Sequence, residues 1–122
     1  MDRKLGKIKS AGLEIKDRGI LNFWLSVDYE DGCSQCVGNF ALDAYDKDKE
    51  KRVGTAYGCE IIRQLLLTLN VDDFSEMKDL KVWIYGEGEG FSFSPKGISL
   101  LKVDGGGEVL IFDVVYKEFG KL

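Results

Sequence analysis

Alternation of apolar and polar positions is clearest over residues 20–29, where Leu21, Phe23, Leu25, Val27 and Tyr29 share one side and Asn22, Trp24, Ser26 and Asp28 the other. That pattern predicts a strand with one buried face. Trp24 is the exception on the polar side: an indole there packs under a loop, covers a subunit interface or stacks on a ligand. Residues 5–15 carry Leu5, Ile8, Leu13 and Ile15 among lysines and small residues, and predict a first strand with a kink permitted at Gly12. Lys16-Asp17-Arg18-Gly19 supplies the turn between the two. Glu30-Asp31-Gly32 has the Asp-Gly hairpin signature, so residues 33–43 should pair antiparallel with the second strand. Residues 44–51 read as a charged loop.

The period then changes from two to about 3.6, which predicts a helix over residues 56–69. Gly58, Ile62, Leu65 and Leu69 form its apolar stripe with Ile61 and Leu66 beside it, while Glu60, Arg63, Gln64 and Thr68 face outward. Asn70 is placed to end it in a left-handed conformation, and Asp72 or Asp73 to cap a short second helix through Met77. Strands are expected again at 80–85, 98–103 and 109–116, separated by the glycine-rich segment 86–90 and by Asp104-Gly105-Gly106-Gly107. The last of them is apolar on both alternations, as in a central strand or one covered by another subunit. These elements predict one α+β domain spanning residues 1–122: an antiparallel sheet of about five to six strands, one long helix packed on it, and self-association through the more apolar sheet face.

Composition narrows the function. The chain has 122 residues, 44% hydrophobic and 31% charged, which suits one folded domain with a moderate core. A net charge of −4 argues against a broad face for a nucleic-acid polymer, although one or two local arginines still suffice for a small anion. No apolar run approaches the ~18 residues of a membrane span, and no signal-peptide core follows Met1-Asp2-Arg3-Lys4, so a cytoplasmic protein with three reduced cysteines is expected. Histidine is absent, which removes the commonest general base and the commonest transition-metal ligand.

Arg52-Val53-Gly54-Thr55-Ala56-Tyr57-Gly58 is the strongest candidate site, because a loop running into a helix leaves first-turn N–H groups for an anion and this one carries an arginine. The alternative is a solvated or salt-bridged arginine ahead of an ordinary helix cap. There is no Walker lysine-serine pair, so it is not a P-loop. Gly86-Glu87-Gly88-Glu89-Gly90 precedes no helix and holds two glutamates that would repel phosphate; it reads as a mobile connector. Phe91 and Phe93 are spaced to clamp a base or to pack into the core. Cys33-Ser34-Gln35-Cys36 opens a strand instead of a helix, and no further ligands complete a zinc set, so these thiols read as structural. Asp43, Asp46, Asp48 and Glu50 lack the glycine and order of a calcium loop. No metal site, no cofactor and no catalytic residue is assigned.

Lys7-Ile8-Lys9-Ser10-Ala11, Gly38-Asn39-Phe40-Ala41-Leu42-Asp43, the Arg52 to Gly58 run with Glu60-Ile61-Ile62, and Val71-Asp72-Asp73-Phe74-Ser75-Glu76-Met77-Lys78 together resemble a family of small phage- and prophage-encoded proteins. The likeness covers about residues 5 to 85, and the C-terminal part departs from it. In size, expected architecture and lack of catalytic residues the chain is also similar to the phage anti-defence sponges that inhibit Thoeris immunity by sequestering a cyclic ADP-ribose-type signal. The resemblance implies a non-enzymatic ligand or partner binder, and the leading expectation is a protein of the host-cell cytoplasm that holds a nucleotide-derived signal, of cyclic ADP-ribose or cyclic oligonucleotide type, at or near a subunit interface. In that reading Arg52 contacts phosphate, the backbone at Gly54 and Thr55 donates hydrogen bonds, and Tyr57, Phe91 or Trp24 stacks on the base. Asn39 and Arg63 are secondary polar contacts. The alternative is a protein-binding inhibitor of a defence effector or nuclease, acting through an acidic surface at residues 43–50.

Overall fold

The computed structural model describes residues 1–102 and 107–120, with Phe91 described by its backbone alone. Strands β1 (Asp2–Lys16), β2 (Ile20–Tyr29) and β3 (Ser34–Ala41) form a meander. A small hairpin of β4 (Asp43–Asp46) and β5 (Lys51–Gly54) follows, then helix α1 (Ala56–Leu69). After a 3-10 turn at Phe74–Met77 come β6 (Lys81–Glu87), β7 (Ser94–Leu100), the two-residue β8 (Leu110–Ile111) and helix α2 (Phe112–Phe119). The main sheet has six strands in the order β3-β2-β1-β6-β7-β8. Every pairing in it is antiparallel.

The α+β class and the antiparallel sheet agree with the sequence reading, and three of its details are corrected. Among the described residues two α-helices are present instead of one long one. Residues 109–116 are not a strand: pairing stops at Ile111 and α2 begins at Phe112. Residues 44–51 are not an open loop, because Ala44, Tyr45 and Asp46 pair with Val53, Arg52 and Lys51. The turn of that hairpin is closed by the Asp46 carboxylate, which accepts from the N–H groups of Asp48 and Lys49. The turn expected at Asp104-Gly105-Gly106-Gly107 falls largely outside the described residues.

One face of the sheet carries the core. Phe23, Leu25 and Val27 of β2 meet Ile8 of β1, Val82 and Ile84 of β6, and Ile98 of β7, all fully buried. Onto them α1 lays Ile61, Leu65 and Leu69. Burying each such side chain contributes about 1.5–3 kcal/mol relative to exposure, so this stripe, and not helix propensity, holds α1 in place. The buried centre of the stripe is Ile61, with Ile62 only partly covered.

Capping sets the two ends of α1. The Thr55 hydroxyl accepts from Gly58 N–H at 2.9 Å and donates to Leu42 C=O at 2.7 Å, tying the first turn to the end of the meander. Asn70, at φ 57° and ψ 47°, ends the helix as its sequence position predicts. The opposite sheet face carries Trp24, whose indole lies over Gly12 so closely that a Cβ on Gly12 would stand 2.7 Å from it. Trp83 lies on the same side, and the Arg3 guanidinium stacks 4.0 Å above its ring. No helix among the described residues is long and apolar enough to cross a membrane.

Candidate functional site

Where α1 starts, α2 starts and β3 ends, aromatic side chains gather. Phe40 and Tyr57 stack with centroids 6.0 Å apart and 20° between planes. Tyr116 meets Tyr57 edge-on at 5.1 Å, and Phe112 meets Phe40 at 5.4 Å. Four residues from three separate elements therefore form one cluster, and the gaps around it are open. A hollow of about 460 Å³ is lined by this quartet with Ala41, Pro95, Lys96 and Asp113. On the other side of Tyr57 and Tyr116 lies a second hollow of about 260 Å³, bounded by Asp43, Thr55 and Phe119 among others. Tyr57, Tyr116 and Ala41 line both, making one cleft in two parts.

The local chain explains this geometry. Gly58 allows α1 to approach the Leu42 backbone closely, which brings its neighbour Tyr57 over β3. Helical spacing of Phe112, Val115, Tyr116 and Phe119 lets α2 bury Phe112 and Val115 while Tyr116, 55% exposed, keeps a face to the cleft. Burial, with the nearby Asp113 carboxylate and Tyr116 as smaller contributions, pushes the Tyr57 phenol up to about 12. It stays protonated at neutral pH, so its hydroxyl keeps a proton to donate.

The Arg52 guanidinium is already engaged. Its Nη2 donates to Asp43 Oδ1 at 2.7 Å and to the Asp43 carbonyl at 3.2 Å, while the other carboxylate oxygen accepts from Leu21 N–H at 3.1 Å. The pair ties the β4–β5 hairpin to β2. With the Asp43 side chain 8% exposed and that of Arg52 27%, it is a half-buried clamp at the edge of the second hollow. The hydrogen bond from Arg52 holds the Asp43 carboxyl below its ordinary range. Since the folded-state value is the lower one, the clamp stabilises the protein above the ordinary carboxylate pKa and its contribution is lost as pH falls through the folded value. The stability difference between wild type and Arg52→Ala should be level from pH 7 to pH 5 and shrink below about pH 4. Urea midpoints across that range check it; a difference that persists undiminished at acid pH excludes the clamp.

The other expected contacts are dispersed. Thr55 is committed to its cap, and Gly54 is exposed with no heavy atom within 4 Å of an added Cβ. Asn39, at φ 62°, forms a β-bulge with Gly38 and accepts from Lys16 Nζ. Arg63 points outward, 64% exposed, and pairs with Glu60 at 3.3 Å. Trp24 lies on the far side of the sheet from the helices. Phe93 is in the core, edge-on to Tyr29 at 6.2 Å, and the Phe91 side chain lies outside the described parts. The structure thus brings together Tyr57, Thr55 and, through Asp43, Arg52. It adds Phe40, Phe112, Tyr116, Lys96 and Asp113, which the sequence reading missed. The i, i+4 spacing of Phe112 and Tyr116 was the signal that could have found two of them.

Among the described residues no three His, Cys, Asp or Glu side chains converge to hold a metal ion. Within the run at 43–50 four carboxylates stand against Lys47 and Lys49, a net charge of −2, and Lys51 and Arg52 follow it directly. The chain matches no family model, and no curated protein or solved structure matches it significantly.

Proposed function

We propose that the protein binds a small nucleotide-derived ligand in the Tyr57 cleft and sequesters it unchanged. The observation that carries this reading is the aromatic quartet around two adjoining hollows. Planar rings reward aromatic neighbours, and stacking is worth about 1–3 kcal/mol per base. The combined hollow falls in the size range of ordinary small-molecule sites, mostly apolar with a few polar groups at its rim. Lys96, which lines the larger hollow, replaces Arg52 as the phosphate contact, because Arg52 is held by Asp43. The resemblance to phage proteins and to signal-sequestering sponges extends the reading to an anti-defence role in an infected cell, with self-association left as part of that proposal.

Titration calorimetry against a panel of nucleosides, cyclic mononucleotides and cyclic ADP-ribose isomers tests it. At least one member should bind, and heating the complex should return it chemically intact. Tyr57→Leu, which keeps bulk and removes the aromatic face, should weaken that binding at least about fivefold, with Tyr57→Phe close to wild type. No binding heat from any member at millimolar concentration, or recovery of an altered compound, would end this reading.

A further inference from the structure

Two charged residues line the larger hollow, Lys96 and Asp113, and neither side chain takes part in an ion pair or a side-chain hydrogen bond among the described residues. The smaller hollow offers no uncommitted charge, because both oxygens of Asp43 are occupied and the Thr55 hydroxyl both donates and accepts. Among the described residues the larger hollow therefore presents one cation and one anion without side-chain partners, beside the stacked rings of Phe40 and Tyr57.

From that pairing, and resting on the nucleotide reading above, we infer that the cleft is selective for a guanine nucleotide bearing a single phosphodiester charge. An ionised carboxylate only accepts hydrogen bonds, and its two parallel oxygens are best matched by two adjacent donors. Guanine has such an edge, the ring N1–H beside the exocyclic N2 amino group. Adenine and cytosine place a bare ring nitrogen next to their amino group, so a lone pair would face the carboxylate. Uracil flanks its one N–H with two carbonyl oxygens. A base stacked on Tyr116 with its donor edge on Asp113 leaves the sugar-phosphate for Lys96. A phosphodiester carries one negative charge and balances that lysine; a di- or triphosphate brings more negative charge than the single lysine can offset, close to Asp113.

Guanosine 3′,5′-cyclic monophosphate, its adenosine counterpart and neutral guanosine are the probes, titrated into the full-length protein. The guanine cyclic nucleotide should bind at least about tenfold tighter than the adenine one, as expected when a paired donor edge is replaced by a mismatched one. Asp113→Asn, a substitution at an exposed position, should bring the two within about threefold of each other, since an amide offers only one acceptor oxygen. Lys96→Gln should weaken both cyclic nucleotides and leave guanosine unchanged. Equal affinity of the wild type for both cyclic nucleotides overturns the guanine assignment while leaving nucleotide binding standing. Absence of binding by any of the three, and by the wider panel, overturns both. A guanine preference that survives Asp113→Asn removes Asp113 as its reader.

Discussion

Gly58→Ala is expected to destabilise the protein by about 2–3 kcal/mol, even though alanine is the better helix former by about 1 kcal/mol at an interior position. A Cβ on Gly58 would stand 1.8 Å from the Leu42 carbonyl oxygen and 2.7 Å from its carbonyl carbon. Both are backbone atoms, so no side-chain rotation relieves the overlap. The Leu42 segment is itself fixed: its N–H donates to Leu21 C=O at 2.8 Å and its C=O accepts from the Thr55 hydroxyl. Alanine must therefore push α1 away from the sheet, loosening the Thr55 cap and the burial of Ile61 together. Thermal unfolding should show a drop of roughly 10 °C in midpoint for a chain of this size. Gly54→Ala, four residues earlier, is the matched control, because an added Cβ there has no neighbour within 4 Å. Its effect should stay within about 0.5 kcal/mol. If the two variants unfold alike, the close approach of α1 to Leu42 is wrong. Because Tyr57 is the adjacent residue, the same displacement should also weaken the nucleotide binding proposed for its cleft, in proportion to how far the helix start moves.

Much of this architecture was legible because local signals and the packed structure agree. The alternation of Phe23, Leu25, Val27 and Tyr29 is the buried face of β2, and Gly32, at φ 89°, turns the hairpin that Asp31-Gly32 announces. Thr55 and Asn70 bound α1 as their chemistry suggests. The C-terminal segment was illegible for a definite reason. Leu110, Phe112, Val114 and Tyr116 alternate as a strand would, yet Phe112, Val115, Tyr116 and Phe119 also fit a helix, and eight residues are too few for either period to win locally. Tertiary contact decides: as a helix the segment buries Phe112 and Val115, whereas a strand would extend an edge already reduced to two residues at β8. The candidate site shares that fate. Tyr57 was visible from its motif, but Phe40, Tyr116, Lys96 and Asp113 join it only through the docking of α2, which no local pattern encodes. The partner of Arg52 was not legible: an arginine before a helix suits an anion or a carboxylate alike, and Asp43 lies nine residues back across a hairpin that the charge alternation concealed.

Phe23→Ala should be among the most damaging single substitutions, with a loss of about 3–5 kcal/mol, a large share of the stability of a domain this size. The ring is fully buried and stands where three elements meet. It contacts Phe40 of β3 edge-on at 5.1 Å and Phe112 of α2 at 6.0 Å, and it occupies the space above Gly38, where a Cβ would come within 2.6 Å of it. Neighbouring aromatics are rigid and collapse poorly into the void, so the upper part of the range is expected. The damage should also be uneven. α1 rests mainly on Ile61, Leu65 and Leu69 against the sheet, but α2 is short, and Phe112 is one of only two fully docked residues it has. Amide exchange in α2 should therefore accelerate more than in α1, under conditions where the variant is still folded. The cleft follows, because Phe40 and Phe112 form its floor and Tyr116 rides on α2. Phe23→Leu, which refills most of the volume, should recover more than half of the lost stability and the protection of α2 with it. A loss below about 1.5 kcal/mol, or equal acceleration of exchange in both helices, would mean that α2 is not anchored through this aromatic contact, and the cleft would then have to be assembled by something other than the Phe23, Phe40 and Phe112 stack.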